Sequence, residues 1–264
     1  MGAGAVMKWD PARYVQFGNY RDRPFFDLVG RLHAENPRRV VDLGCGPGNL
    51  TATLAERWPD AEVTGLDSSQ EMLDRAAAHS GPGNLNFSLG EIREWMPPAG
   101  TDVVVSNAAL QWVPGHVELL KKWLAALEPG AWFAMQVPGN FNAASHVLMR
   151  ELAESPTWAD RLAGVLRHSD VVAEPDEYLR VMLDAGWTAD AWETTYYQLL
   201  PGDHPVLDWV RGAGLRPVLA ALPADEAAVF EAEYSASLDR AYPPAAHGTI
   251  FPFRRIFAVA YKPA

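Results

Sequence analysis

Asp42-Leu-Gly44-Cys-Gly46-Pro-Gly48-Asn49 sets a glycine at every second position behind an acid. Without a Cβ, glycine lets the backbone turn tightly and approach a ligand closely. A loop of this kind between a strand and a helix lies where α/β sheets hold ligands, outside the carboxyl ends of the strands. The spacing departs from the dinucleotide fingerprint Gly-x-Gly-x-x-Gly/Ala, whose third small residue would fall on Asn49. No Gly-Lys-Ser/Thr follows, so the loop is not one that cradles a nucleoside triphosphate. Asp42 is expected to hold the loop in shape rather than to act in chemistry. Cys45 is read as a small residue under the turn and not as a nucleophile.

Asp67 closes a second apolar run, Ala61-Glu-Val-Thr-Gly-Leu66. A carboxylate placed there can accept from both hydroxyls of a ribose, and its charge repels a 2′-phosphate. An acidic site of this kind suits a non-phosphorylated adenosine with a cationic centre better than a pyrophosphate. Glu91, just after a third run, can accept from an exocyclic amine of the base, and Ile92 offers the ring an apolar surface. The seven histidines include no pair at i, i+4, so no metal site is expected.

Such residues need a scaffold that gathers strand ends, and the stretch from Arg39 to Val137 provides it. Short apolar runs alternate with helical ones, the pattern of a parallel sheet covered by helices. Strands are expected over 39–43, 61–66, 85–89, 102–106 and 132–137, with helices over 50–58, from Ser69 through Ala76, and over 119–127. Ser69 is a suitable helix cap. From Phe141 to Ala185 only helical spacing appears. Ala191–Leu199 reads as a strand again, Val206–Tyr242 as helical, and Arg255–Tyr261 as a closing strand. The expected division is an N-terminal helical cap (1–38), a ligand-binding core (39–140), a helical insertion (141–188), and a C-terminal part of the sheet (189–264) carrying a second helical insertion at about 203–245. All of it is expected to form one compact domain.

The chain has 264 residues, 48% of them apolar and 21% charged, which is a globular composition. Its net charge of -11 disfavours nucleic acid, because an acidic body repels phosphodiesters. One cysteine permits neither a disulfide framework nor a cysteine-based zinc site. No apolar run approaches a bilayer span. Met1–Val6 lacks the features of a signal peptide and is expected to be a short extension ahead of Met7. A cytoplasmic protein with no membrane contact and no obligate protein partner is expected.

The run VVDLGCGPGN, followed in order by TGLDSS and DVVVSNAALQW, resembles the class I S-adenosylmethionine-dependent methyltransferases. The resemblance continues from Trp9 to Ala260 through WDPARYVQF, RDRP, RWPDAEVTGLDSS, NAALQWV, SHVLMRE, WETTYYQ, LDWV, GLRP and GTIFPFRRIF. In these segments it is similar to those members that act on trans-aconitate. The resemblance implies an α/β, Rossmann-like fold with a mostly parallel seven-stranded sheet, helices on both faces and helical insertions forming a lid. It implies S-adenosyl-L-methionine as cofactor, held by Arg23, Asp42, Gly44, Gly46, Asp67, Ser68, Glu91, Ile92 and Asn107. Gln111 and Trp112 fall where the family places the transferred methyl.

The implied acceptor is a carboxylate of a small tricarboxylate, with a monomethyl ester as product. A carboxylic acid with a pKa of about 4 is already ionised at neutral pH, so no general base is needed. The remaining carboxylates call for arginine, whose fork pairs two oxygens at once. Arg150, Arg216 and Arg255 are the candidates, with Tyr14, Tyr196 and Tyr197 as hydroxyl donors. Strand residues alternate faces, so only one of Tyr196 and Tyr197 is expected to face the site. His146 is expected in the core or on a helix surface in preference to the pocket. Methylation of another small carboxylic acid or a secondary metabolite is the alternative. A nicotinamide-dependent oxidoreductase is disfavoured by Asn49.

Overall fold

A computed structural model of the chain describes residues 20, 22–79, 83–166, 171–212 and 214–264. Tyr14, and with it the first half of the expected N-terminal cap, lies outside the described residues. Seven strands, β1 (Arg39–Leu43), β2 (Glu62–Asp67), β3 (Leu85–Leu89), β4 (Val103–Asn107), β5 (Trp132–Pro138), β6 (Thr188–Leu200) and β7 (Thr249–Tyr261), form one sheet. Their order is β3-β2-β1-β4-β5-β7-β6. The pairings among β1 to β5 are parallel, whereas β7 runs antiparallel to both β5 and β6. The order reverses between β1 and β4, and a crevice opens at the carboxyl ends of strands at such a switch point.

The central strands read as unbroken apolar runs because helices cover both of their faces. On one face Phe25, Phe26 and Leu28 of α1 (Arg23–Val29) and Leu54 and Ala55 of α2 (Asn49–Arg57) pack on Val40, Val63, Val103 and Val105. On the other face Leu120, Trp123 and Leu124 of α4 (His116–Ala126) pack on Val41, Val104, Phe133 and Met135. Consecutive strand residues such as Val40 and Val41 therefore serve opposite cores. Between these helices α3 (Gln70–Ala76) lies against β2 and β3 and is capped by Ser69, whose side chain accepts from the Met72 amide.

The long helical stretch after β5 divides in a way its periodicity does not reveal. Helices α5 (Ala144–Ala153) and α6 (Ala159–Leu162) leave the sheet. They share a third core with α8 (Pro205–Arg211), α9 (Arg216–Ala221) and α10 (Ala224–Ala241), built from Met149, Trp158, Val210, Val218, Phe230 and Tyr234. Two tyrosines tie this layer across the chain: Tyr234 donates to the Ser145 carbonyl at 2.6 Å, and the Tyr242 hydroxyl accepts from the Ser145 amide at 3.0 Å. By contrast α7 (Pro175–Asp184) returns to the sheet with Tyr178, Val181 and Met182 buried beside α4. No helix among the described residues is long and apolar enough to cross a membrane.

The last strand is also longer than its apolar run, beginning at Thr249 rather than Arg255. Pro252 hides this extension in the sequence. It is tolerated because β5 pairs only with residues 255–261, so residues 249–254 have a neighbour on one side alone and an absent N–H leaves no gap in a second ladder.

Candidate active site

The glycine loop leaves β1 with Gly44, Gly46 and Gly48 all in the left-handed region, at φ of 80°, 54° and 77°. The Leu66 carbonyl accepts from the Gly44 and Cys45 amides at 2.8 and 3.0 Å. A Cβ on Gly44 would lie 2.3 Å from that of Ala109, whereas one on Gly46 would meet nothing within 4 Å and point into open space. Asp67 fixes the loop from the end of β2. Its Oδ2 accepts from the Gly46 amide at 2.8 Å and its Oδ1 from the Ser69 amide at 2.9 Å. Each oxygen keeps a further lone pair for a ligand.

Asp42 is buried at the end of β1 and accepts from Thr51 Oγ1 at 2.6 Å. Burial pushes its carboxyl up to about 6, opposed by the Thr51 bond and reinforced by the Asp67 charge. Burial likewise drives the Cys45 thiol far above its ordinary range, which leaves no reactive thiolate in the loop. Among the described residues no three His, Cys, Asp or Glu side chains are grouped to hold a metal ion.

A cleft of about 380 Å³ runs along this loop, walled by Asp22, Phe25, Asp42, Gly46, Asn107 and Ala108. Asn107 brings a buried Oδ1 with no hydrogen-bond partner. Ile92 is buried against Gly44, while Ser68 and Glu91 are exposed. Arg23 is placed differently from expectation. Its guanidinium lies over the Tyr196 ring at 4.8 Å and 4.0 Å from Asp27, so the wall at this end is made by Asp22 and Phe25 instead. On a helix turn, neighbouring positions face different ways, and Arg23 takes the outward one.

Beyond Ala108 lies a second cavity of about 300 Å³, lined by Gln111, Trp112, Arg150 and Arg255 together with apolar side chains such as Phe141, Met149, Trp209 and Phe253. Ala108 belongs to both walls and is the one non-glycine residue with positive φ among those described, at 54°. Its amide donates to the Gln136 carbonyl at 2.9 Å and its carbonyl accepts from Gln111 Nε2 at 2.6 Å. Arg255 is 7% exposed, stacked at 4.4 Å over Phe253, with Nη1 3.5 Å from Gln136 Oε1. Arg150 is held through Nη1 by the Phe141 carbonyl at 2.8 Å. Two guanidinium groups in a largely apolar wall make a site for an anion with more than one acidic arm.

Three expected substrate residues lie elsewhere. Tyr196 turns under α1, where its hydroxyl donates to Asp27 at 2.5 Å. Tyr197 is 73% exposed. The alternation of faces is real, but neither face of this edge strand borders the cavity. Arg216, first residue of α9, projects outward, and Pro217 lines the wall in its place. In return the structure brings in Asn140 and His146. Asn140 follows Pro138-Gly139 at the carboxyl end of β5, a position that strand-end reasoning could have marked. Trp209 and Phe253 fall in the matching segments LDWV and GTIFPFRRIF, but nothing there points them to the cavity, which they reach only through tertiary packing.

The strand order with a reversed seventh strand, the glycine loop and the paired cavities define a class I methyltransferase, and the model of the methyltransferase domain family matches residues 40–130. The YcgJ protein from Bacillus subtilis shares the fold with a TM-score of 0.55 at 16% identity, over 88% of this chain and 95% of that one. A trans-aconitate 2-methyltransferase of Streptomyces coelicolor is 57% identical over 97% of this chain and 87% of its own length. That of Streptomyces avermitilis is 54% identical over 98% of this chain and 99% of its own. The chain belongs to the trans-aconitate 2-methyltransferase family.

Proposed function

We propose that this chain is an S-adenosylmethionine-dependent O-methyltransferase that esterifies one carboxylate of trans-aconitate, releasing a monomethyl ester and S-adenosylhomocysteine. The observation that carries this is the junction at Ala108 between an acidic, glycine-walled cleft and a cavity holding two guanidinium groups. The names of the relatives supply the particular acid.

The cleft fits the cofactor. The space over Gly46 admits a ligand against bare backbone, Asn107 offers an unused acceptor, and the acids Asp42 and Asp67 favour a cation. On this reading Asp67 takes the ribose hydroxyls, Glu91 and Ile92 the base, and Asp42, Gly44, Ser68 and Asn107 complete the cradle. When bound, the cofactor supplies a sulfonium methyl, which a carboxylate oxygen takes as the carbon–sulfur bond breaks and its electron pair stays on sulfur. No proton moves, so the work of the protein is to align and to exclude water. Gln111 fixes the Ala108 turn, Trp112 forms the wall beside it, and Arg150 and Arg255 hold the spectator carboxylates.

Of the two insertions, α5 and α6 together with α8 to α10 act as the lid of the cavity over the 39–140 core, whereas α7 packs on the sheet. Within the cap, Asp22 and Phe25 close the cofactor side, and 189–264 completes the sheet. The enzyme is placed in the cytoplasm, with a small tricarboxylate as its partner. A second small carboxylic acid as substrate would use the same two arginines.

Calorimetric titration with S-adenosylhomocysteine and with NAD, followed by turnover of a tricarboxylate panel, tests this. Binding of the first ligand alone and a monomethyl ester from trans-aconitate in preference to the rest of the panel are expected. Binding of NAD, or a preferred acid of another kind, would overturn the assignment at the cofactor or at the substrate respectively.

A further inference from the structure

We propose that Asn140 seats the reacting carboxylate, donating from its neutral amide to the oxygen that does not attack. This rests on the reading of the cavity as a tricarboxylate site. Asn140 stands two residues beyond β5, whose Gln136 pairs with Asn107 at the end of β4 next to Ala108. It is 3% exposed and lines the cavity, yet its Nδ2 has no hydrogen-bond partner. A buried donor left unmade is costly, and nearly all such groups are satisfied by something. In a cavity wall, the missing acceptor is one that arrives with the ligand.

Charge explains why the donor is an amide. A tricarboxylate brings three anionic arms, and the described wall carries two guanidinium groups, Arg150 and Arg255. The third arm is the nucleophile, and its oxygen loses negative charge as the ester forms. A cation on that arm would bind the ground state more tightly than the transition state and slow the reaction. A neutral N–H aligns the carboxylate with far less of that penalty. His146 Nδ1 lies 3.3 Å from Ser145 Oγ and the ring packs edge-on against Phe141.

The test uses the full-length chain with Asn140→Ala and Asn140→Asp. Loss of alignment in Asn140→Ala should lower kcat for trans-aconitate about 100-fold. The Kd of trans-aconitate for the S-adenosylhomocysteine complex, measured by calorimetry, should rise less than about fivefold. Asn140→Asp keeps the shape and replaces the donor by an acceptor, which becomes a donor again when protonated. Its rate relative to the unsubstituted chain should rise as pH falls from about 8 to about 6, because the reacting carboxylate lies directly against the new carboxyl and favours its protonated form, while the two guanidinium groups are taken by the other arms. Arg150, Arg255 and His146, the other charged or titratable groups of the wall, are the same in both proteins. An unaltered kcat in Asn140→Ala, or a loss carried wholly by Kd, would overturn the proposal. If Asn140→Ala fails to fold by circular dichroism, a pH-independent loss in Asn140→Asp overturns it equally. Should the unsubstituted chain methylate no tricarboxylate, the functional reading fails and the seat falls with it, a result distinct from any produced by the variants.

Discussion

The cleft along the glycine loop and the cavity beyond Ala108 meet at one residue but are made of different material. The cleft is shaped by one loop: Gly44 and Gly46 with positive φ in its wall, two amides held by the Leu66 carbonyl, and the Asp67 carboxylate bracing the turn, with Asp22 and Phe25 of α1 beside it. Most of its parts lie at the carboxyl ends of β1 and β4. The cavity is walled by side chains from the turn after β4, the exit of β5, α5, α8 and the first half of β7. A backbone site is specified by local conformation, whereas a side-chain site exists only once distant segments have packed. The two regions should therefore respond to substitution in separate ways.

The sharpest separation is expected from Arg255→Ala. Removing a buried guanidinium from a carboxylate should cost about 3 kcal/mol in kcat/KM for trans-aconitate, with S-adenosylhomocysteine affinity within about twofold of normal. Equal losses for both ligands would merge the two regions into one. A comparable effect, on stability instead of substrate, is expected at Asp42. The folded carboxyl titrates near 6 against an ordinary 3.8. An acid whose folded value is raised favours the fold below about pH 4 and loses that advantage as pH climbs through about 6. Above that, the buried charge costs about 2–3 kcal/mol. Asp42→Asn, which can still accept from Thr51, should raise Tm at about pH 7.5 and leave it unchanged at about pH 4. KM for trans-aconitate should not move, and a shift in it would show the loop acting on the cavity.

Smaller effects test the walls one position at a time. Gly46→Ala incurs a left-handed penalty of about 1 kcal/mol and sends its methyl into the open cleft. A several-fold loss of S-adenosylhomocysteine affinity with little change in Tm is expected, and the reverse balance would make the loop a packing feature. Least of all, Arg216→Ala should change neither KM nor Tm beyond about 0.5 kcal/mol, since the side chain is exposed. A measurable rise in KM would return Arg216 to the substrate wall.

The same contrast explains what could be read in advance. The five parallel strands were visible because each is a short apolar run bounded by breakers, and Asp42, Gly44, Gly46 and Asp67 were visible because strand-end chemistry is local. Gln111, Trp112, Arg150 and Arg255 line the cavity beyond Ala108, and what singled them out in the sequence was the resemblance rather than spacing. Tyr196, Tyr197 and Arg216 sit in equally matching segments but face elsewhere, since a matching segment says nothing of which way a side chain turns once a helix is laid across it. Asn140 and Trp209 had no local signal strong enough to compete with a loop or a core role. The return of α7 to the sheet was equally hidden, because an amphipathic helix shows that it has a buried face and not what buries it.

The position of β7 has a consequence for how the molecule is made. It lies between β5 and β6 in space but is synthesised after both, so β5 and β6 have no partner on those edges until Thr249–Tyr261 emerges. The glycine loop, its bracing aspartate and four parallel ladders can all form on the ribosome before that moment. Arg255 arrives with the last strand, and Phe253 arrives with it. A nascent or truncated chain thus has the whole glycine loop but lacks Phe253 and Arg255, and with them one side of the wall of the cavity beyond Ala108.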